Sequence, residues 1–166
     1  MGAQTGMIGR AIEAMALYYG NDRKLVNHAL KVYAWTRTIA EGEGSLSENR
    51  LQKLLLGAVM HDIGIPEARR QFGSSAGVYQ QRLGPKIARQ LLQKLGAEND
   101  VLQRVEYLIA NHHTYSAPGD DLQMLFEADL LVNLDEGNVK DIQNSRPIFK
   151  TQTGIRLFEA QFPVDK

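Results

Sequence analysis

The sequence predicts an all-α fold, a single bundle of about six or seven helices. Apolar residues recur at three- and four-residue spacings in one segment after another, which is typical of helices that bury one face. No segment shows the alternation of apolar and polar residues that a half-buried strand requires. Because 166 residues match one domain of ordinary size, we expect residues 1–166 to form a single domain.

The composition excludes several classes of protein. The 19 basic and 19 acidic residues cancel, so no general positive field attracts nucleic acid or an anionic membrane. The absence of cysteine excludes disulfides, thiolate metal sites, iron–sulfur clusters and a cysteine nucleophile. No apolar run approaches the ~20 residues that cross a bilayer, and residues 1–9 lack the pattern of a signal peptide. We therefore expect a cytoplasmic protein.

The first two predicted helices lead to a buried histidine. Apolar spacing indicates a helix at 7–19, and Asp22 is a candidate N-cap for the next one, at about 23–40. His28 lies inside the apolar face of this second helix, three residues after Leu25. A single histidine in such a place is commonly a hydrogen-bonded core residue.

The third predicted helix ends in a His-Asp doublet. Ser47 or Glu48 opens it, and its buried face is formed by Leu51, Leu54, Leu55, Ala58 and Val59. His61 and Asp62 continue this face. Gly64 is expected to be a left-handed C-terminal cap, and Pro66 cannot continue the helix. A buried, ionised aspartate beside a buried histidine requires a cation or a dense hydrogen-bond network.

The second half of the chain predicts four more helices. Residues 67–79 fit a helical pattern poorly, and residues 73–77 indicate a loop. The predicted helices are one from Pro85 to Leu95, one capped by Asn99 or Asp100 that reaches His112, one from about Leu122, and one at 151–162. His113 directly follows His112, and Asp129 lies on the apolar face of the helix that begins near Leu122.

Four helices thus carry metal-type side chains on or beside their buried faces. These side chains are His28, His61, Asp62, His112, His113 and Asp129. Imidazole and carboxylate together suit zinc, iron, manganese, nickel or cobalt better than calcium. Helical bundles often build metal sites from inward side chains of facing helices. A bound cation would also remove the electrostatic cost of burying two aspartates.

The order His28, His61-Asp62, Asp129 resembles the HD-domain superfamily of metal-dependent phosphohydrolases. The flanking residues agree: AVMHDIG at 58–64, LGPKIA at 83–88 and EADLL at 127–131. The resemblance covers about residues 25–135, with the helices at 7–19 and 151–162 packed on this core. It implies an HD-like helical bundle in which His28, His61, Asp62 and Asp129 hold one divalent ion (Fe, Mn, Ni, Co, Zn or Mg).

The chain departs from the family pattern in ways that bear on cofactor and substrate. Gln80-Gln81 stands where many binuclear members have a histidine, so a second metal is the minor alternative. His112-His113 resembles the paired histidines of the cyclic-dinucleotide phosphodiesterase branch, but Thr114 replaces the acidic residue that follows them there, and the Gly-Tyr-Pro signature is missing. Ile65 stands where a lysine often follows the doublet, so a phosphate contact has moved or is lost.

The resemblance implies a phosphohydrolase that acts on a nucleotide or another small phosphate ester by metal-activated attack of water at phosphorus. His112 or His113 would donate a proton to the leaving oxygen or bind phosphate, and a core role for one of them is the alternative. Glu67 is a candidate acid or base, against a solvated glutamate of a first helical turn. Lys86 and Arg82 are candidate phosphate ligands, against ordinary surface charges.

Two other functions remain open from the sequence. One is a binding or signalling module that keeps the fold and binds metal or nucleotide without turnover, as Gln80 and Ile65 suggest. The other is a metal-free helical scaffold. For the phosphohydrolase we expect one small phosphorylated partner, above all a nucleotide, with no membrane and no extended nucleic-acid surface. A homodimer is a further candidate.

Overall fold

A computed structural model describes residues 6–163. Residues 1–5 and 164–166, at the two ends of the predicted domain, lie outside the described range. The helices are α1 (Met7–Tyr19), α2 (Arg23–Glu43), α3 (Glu48–Met60), α4 (Ile65–Phe72), α5 (Gly77–Lys94), α6 (Asn99–Asn111), α7 (Asp120–Asp135), α8 (Ile142–Ser145) and α9 (Gln152–Gln161), with a 3₁₀ turn at Arg146–Ile148. Between residues 6 and 163 there is no strand, which confirms the all-α prediction.

Helix α3 lies between two apolar clusters of the core. Leu54 and Ala58 belong to the cluster shared with α2, α6, α7 and α9. Leu56, Val59 and Met60 belong to the cluster shared with α1, α5 and α6. All residues from 54 to 65 are buried. The His-Asp doublet therefore follows directly on a fully buried stretch of α3.

The predicted helix starts are confirmed for α2 and α3. The Asp22 side chain accepts a hydrogen bond from the Leu25 N–H (3.3 Å), and Ser47 accepts one from the Arg50 N–H (3.3 Å), as N-caps do. The predicted cap of α6 is wrong, because Glu98 precedes the helix and makes no side-chain cap. Asp100 lies inside the first turn and pairs with Lys53 at 3.0 Å.

Gly64 is not a left-handed cap. Its φ of −77° and ψ of −10° are right-handed, so any residue could adopt this backbone. A Cβ at this position would lie 2.9 Å from the Gly84 nitrogen and 3.1 Å from the Gln80 carbonyl oxygen. Close approach of α5, rather than backbone conformation, thus explains a glycine two residues after the doublet.

The region around the contact between Gly64 and α5 is also more helical than predicted. Residues 65–72 form α4, with Pro66 in its first turn. Helix α4 and the short α8 are the helices that the sequence did not predict. Helix α5 begins at Gly77, and Pro85 lies inside it instead of starting it. Pro85 removes one backbone donor, but α5 is held by its packing on Gly64 and on α6. The loop predicted at 73–77 shortens to 73–76.

A buried carboxylate attaches the C-terminal helix to α7. Glu127, which is fully buried, accepts hydrogen bonds from the Lys150 N–H (3.1 Å) and the Thr151 N–H (3.1 Å). The Thr151 hydroxyl donates to it as well, at 2.6 Å. These bonds fix the start of α9 beside the segment of α7 that carries Asp129. In the part of the chain that the structure describes, no helix is long and apolar enough to cross a membrane.

Candidate metal centre

Two helices and the end of a third bring the predicted ligands together. His28 lies in the second turn of α2, His61 and Asp62 follow the last residue of α3, and Asp129 lies in the middle of α7. Helix α2 packs on both α3 and α7. One ligand atom from each of the four side chains lies within 4.8 Å of the others. Segments a hundred residues apart therefore meet as the sequence predicted.

The four side chains form a closed set of short contacts. His28 Nε2 lies 3.1 Å from Asp129 Oδ1 and 3.3 Å from Asp62 Oδ2. His61 Nε2 lies 3.2 Å from the same two oxygens. His61 is fully buried, and the other three are at most 9% exposed. Solvent therefore provides little screening of these charges.

The contacts of the two Nδ1 atoms show that the Nε2 atoms of His28 and His61 are the ones available as metal ligands. His61 Nδ1 lies 2.7 Å from the Ala58 carbonyl oxygen, and His28 Nδ1 lies 2.5 Å from Glu136 Oε1. A carbonyl oxygen only accepts, so His61 Nδ1 carries the proton, and the carboxylate of Glu136 selects the same tautomer of His28. In the neutral rings both Nε2 atoms then bear lone pairs, 3.3 Å apart. Only a proton or a cation between them relieves this repulsion.

The protonation of these four side chains is also set by their contacts with one another. Burial disfavours the charged form of both histidines, but Asp129 and Asp62 outweigh it, and the pKa values of His28 and His61 are raised. Burial likewise disfavours the ionised aspartates, but the neighbouring imidazoles lower the pKa values of Asp62 and Asp129 below the ordinary range. Protons thus compensate the two carboxylates when no metal does so. The donor set fits a divalent transition metal in place of these protons.

Asp62 also belongs to a second group, with His112 and His113. His112 follows α6 as His61 follows α3, and its Nδ1 lies 2.7 Å from the Ile109 carbonyl oxygen. Its Nε2 is buried and lies 3.3 Å from Asp62 Oδ1. The two oxygens of Asp62 therefore face different groups. The structure thus offers room for a second cation, which the sequence favoured less.

His113 is less suited to proton donation than the sequence suggested. Although His113 is exposed at the cavity, desolvation of its ring, together with the neighbouring His112, lowers its pKa to about 4, which favours the neutral ring near pH 7. The ring packs against Gly77 at the start of α5. A neutral imidazole at this place suits a ligand or a hydrogen-bond donor better than an acid.

The cluster lies at the wall of a cavity of about 590 Å³, which we call the metal cavity. Besides His28, Asp62, His113 and Asp129, the lining consists of Lys24, Leu25, Ile65, Arg69, Ser75, Gln80, Asn133, Glu136 and Asn138. Lys24 and Arg69 are its cations, and Arg69 Nη1 lies 3.2 Å from Asp22 Oδ2. The Gln80 amide donates to the Ser75 carbonyl oxygen at 2.6 Å, and its buried oxygen has no partner.

Glu67, Arg82 and Lys86 do not line this cavity. They line a second one, of about 480 Å³, between α1, α4 and α5. Hydrogen bonds from Arg70 and Gln71 lower the pKa of Glu67 to about 2. A carboxyl group with such a pKa is a weak base near neutral pH. The structure therefore gives these three residues no contact with the metal cluster.

Sequence reasoning missed Glu136 and Lys24. Glu136 lies seven residues after Asp129, which places it two turns away on the same face of the helix, and this spacing was a usable signal. Lys24 precedes His28 by one turn.

The HD domain family model matches residues 25–135 of the chain. This is well over half of the sequence, and it contains every residue of both ligand groups, so the chain belongs to the HD domain family. Members of this family are in general metal-dependent phosphohydrolases. Neither the comparison with curated proteins nor that with solved structures gives a match.

Proposed function

We propose that this protein is a metal-dependent phosphohydrolase of a small phosphate ester, with nucleotides as the first candidates. One observation carries the proposal. Two imidazole nitrogens and two carboxylate oxygens, mutually within 4.8 Å, lie at the wall of a cavity that also presents Lys24 and Arg69. The cavity volume of about 590 Å³ lies in the range of small-molecule sites.

His28, His61, Asp62 and Asp129 would hold one divalent cation through His Nε2 atoms and carboxylate oxygens. When bound, such an ion polarises a phosphoryl group and makes water a stronger nucleophile at neutral pH. Glu136 and the Ala58 carbonyl oxygen would fix the two imidazole rings from behind. The start of α2, the end of α3 and the middle of α7, which pack on one another, would thus set the geometry before substrate arrives.

Lys24 and Arg69 take the role that the sequence assigned to Lys86 and Arg82. Both line the metal cavity, so both can neutralise phosphate oxygens there. Arg69 is paired with Asp22 at 3.2 Å, and the Arg69 side chain is 53% exposed. Because an exposed ion pair of this kind is worth only about 0–1 kcal/mol, a doubly charged phosphate can readily take Asp22's place.

His112 and His113 have two candidate roles. With Asp62 they could hold a second cation. Alternatively, His113, which lines the cavity, could donate a hydrogen bond to the leaving oxygen. Metal analysis of the His112→Ala variant separates these roles, because only the first predicts a loss of bound metal.

The rival function is a binding or signalling module that keeps the metal and has lost turnover. Ile65 and Gln80, both at the cavity, favour it because they replace a lysine and a histidine of the family pattern. Assays on a nucleotide panel with Mn²⁺, Fe²⁺, Co²⁺ or Ni²⁺ decide between the two. Phosphate release that disappears in folded His61→Ala and Asp62→Ala variants supports the phosphohydrolase. Full metal occupancy with no release from any phosphate ester supports the module.

The cytoplasmic location, the homodimer and the single domain over 1–166 stay predictions. The expected small phosphorylated partner rests on the proposed reaction.

A further inference from the structure

The second cavity forms a groove between α1, α4 and α5, and it shares no lining residue with the metal cavity. Helix α5 provides two parallel stripes of this groove. Leu83, Ile87 and Leu91 form a partly buried apolar stripe, and Arg82, Lys86 and Lys94 form an exposed basic stripe beside it. We call this surface the basic groove.

The three cations of the basic groove lack an acidic partner among the described residues. Arg82, Lys86 and Lys94 form no ion pair with any residue between 6 and 163. By contrast, Arg89 on the same helix pairs with Glu106. Glu67 is the one carboxylate among the described lining residues, and Arg70 already binds it.

The stability of the fold does not explain this row of unpaired cations. The net formal charge of the chain is zero, so the positive excess is local. Like charges four residues apart on a helix, as in Arg82 and Lys86, are mildly destabilising. Ion pairs elsewhere on the surface, such as Arg37 with Glu41, show the arrangement that folding alone would favour.

The spacing of the stripes indicates the kind of ligand. Arg82 and Lys94 are twelve residues apart, which is roughly 18 Å along a helix and longer than a phosphate group. An apolar floor beside a parallel row of cations is complementary to a helix with apolar and acidic stripes. We infer that the basic groove binds an acidic amphipathic helix of a partner protein. This inference holds whether or not the metal centre hydrolyses a substrate.

A binding titration with designed peptides tests the inference. The probe is a fluorescent helical peptide of leucine and glutamate with the leucines on one face. A scrambled isomer and a version with lysine in place of glutamate serve as controls. The test protein carries Arg82→Glu, Lys86→Glu and Lys94→Glu, and the matched control carries Arg10→Glu, Lys140→Glu and Lys150→Glu, three exposed cations outside the groove. Circular dichroism confirms that both triple variants fold.

The acidic amphipathic peptide is expected to bind at low salt, and the groove variant should weaken this binding by on the order of tenfold or more. The matched control should change it by less than about twofold. Absence of binding, equal binding of the scrambled peptide, or equal effects of the two triple variants would overturn the inference. Displacement of the peptide by inorganic tripolyphosphate through these same three cations would overturn it in favour of a small anion. A dimer of the protein that only the groove variant dissociates would overturn it in favour of a second copy.

Discussion

Replacing Glu136 tests whether a residue that contacts a candidate ligand, but is not itself one, strengthens metal binding. Its carboxylate lies 2.5 Å from His28 Nδ1 and 3.7 Å from Lys31 Nζ, and its side chain is 22% exposed. Loss of a carboxylate behind a histidine ligand typically weakens metal binding by about 10- to 100-fold. At ~1.4 kcal/mol for each factor of ten, this is ~1.4–2.8 kcal/mol. We expect this loss for Glu136→Ala and a smaller one for Glu136→Gln, which keeps a neutral acceptor.

Asp135 provides the matched control. It is the neighbouring residue at the same end of α7, its carboxylate lies 3.9 Å from the same lysine, and it is 66% exposed, but it has no contact with His28. The assay is titration of metal-stripped protein with Mn²⁺ and Zn²⁺ by calorimetry. Asp135→Ala should change the dissociation constant by less than about twofold, because an exposed charge is screened. Equal effects of Glu136→Ala and Asp135→Ala would refute a specific role of Glu136 and leave only a general charge effect.

Four further predictions concern stability. Gly64→Ala should destabilise the fold by ~1–3 kcal/mol in urea unfolding, because its Cβ would meet the backbone of α5 and overpack the crossing; Gly9→Ala, where a Cβ meets nothing within 4 Å, should cause no loss. Glu127→Gln should cost about 1.5–3 kcal/mol, since a buried carboxylate accepts two backbone N–H groups there, and unchanged unfolding would contradict this role. A hydrogen bond from Thr153 lowers the pKa of Glu43, so the stabilisation by Glu43 is present above its unfolded pKa and is lost as the pH falls through the folded one. Glu43→Gln should therefore lower the melting temperature at pH 7, with a difference that shrinks below about pH 4; a difference independent of pH would refute this. Removal of metal by a chelator should lower the melting temperature of the wild-type protein, because a ligand bound only by the folded state stabilises it, and identical melting curves would count against a resident metal.

The sequence indicated the four candidate metal ligands because their physical signature is local. A polar, titratable side chain at helical spacing within an apolar face is costly unless it has a partner. His28, His61, Asp62 and Asp129 each carry this signature on a separate element. The family motif added their order, and the packing of α2 on α3 and α7 brought them together.

The features that sequence reasoning missed depend on contacts between distant segments. A glycine shortly after a helix is typical of a helix cap, but the role of Gly64 is set by its contact with Gly84, twenty residues later. A proline is typical of the first turn of a helix, but the packing of α5 overrides this preference and places Pro85 inside the helix. Lys86 and Arg82 were assigned to phosphate because they are cations near the motif along the chain, whereas the fold directs them into the basic groove. Local patterns do not contain this information.

A crystal structure of the protein loaded with Mn²⁺, with anomalous data at the metal edge, would show whether the four side chains share one cation. We expect an anomalous peak at ~2.0–2.3 Å from the Nε2 atoms of His28 and His61 and from oxygens of Asp62 and Asp129. A peak outside this group, or one that touches the doublet while His28 and Asp129 stay apart from it, would exclude the shared metal site.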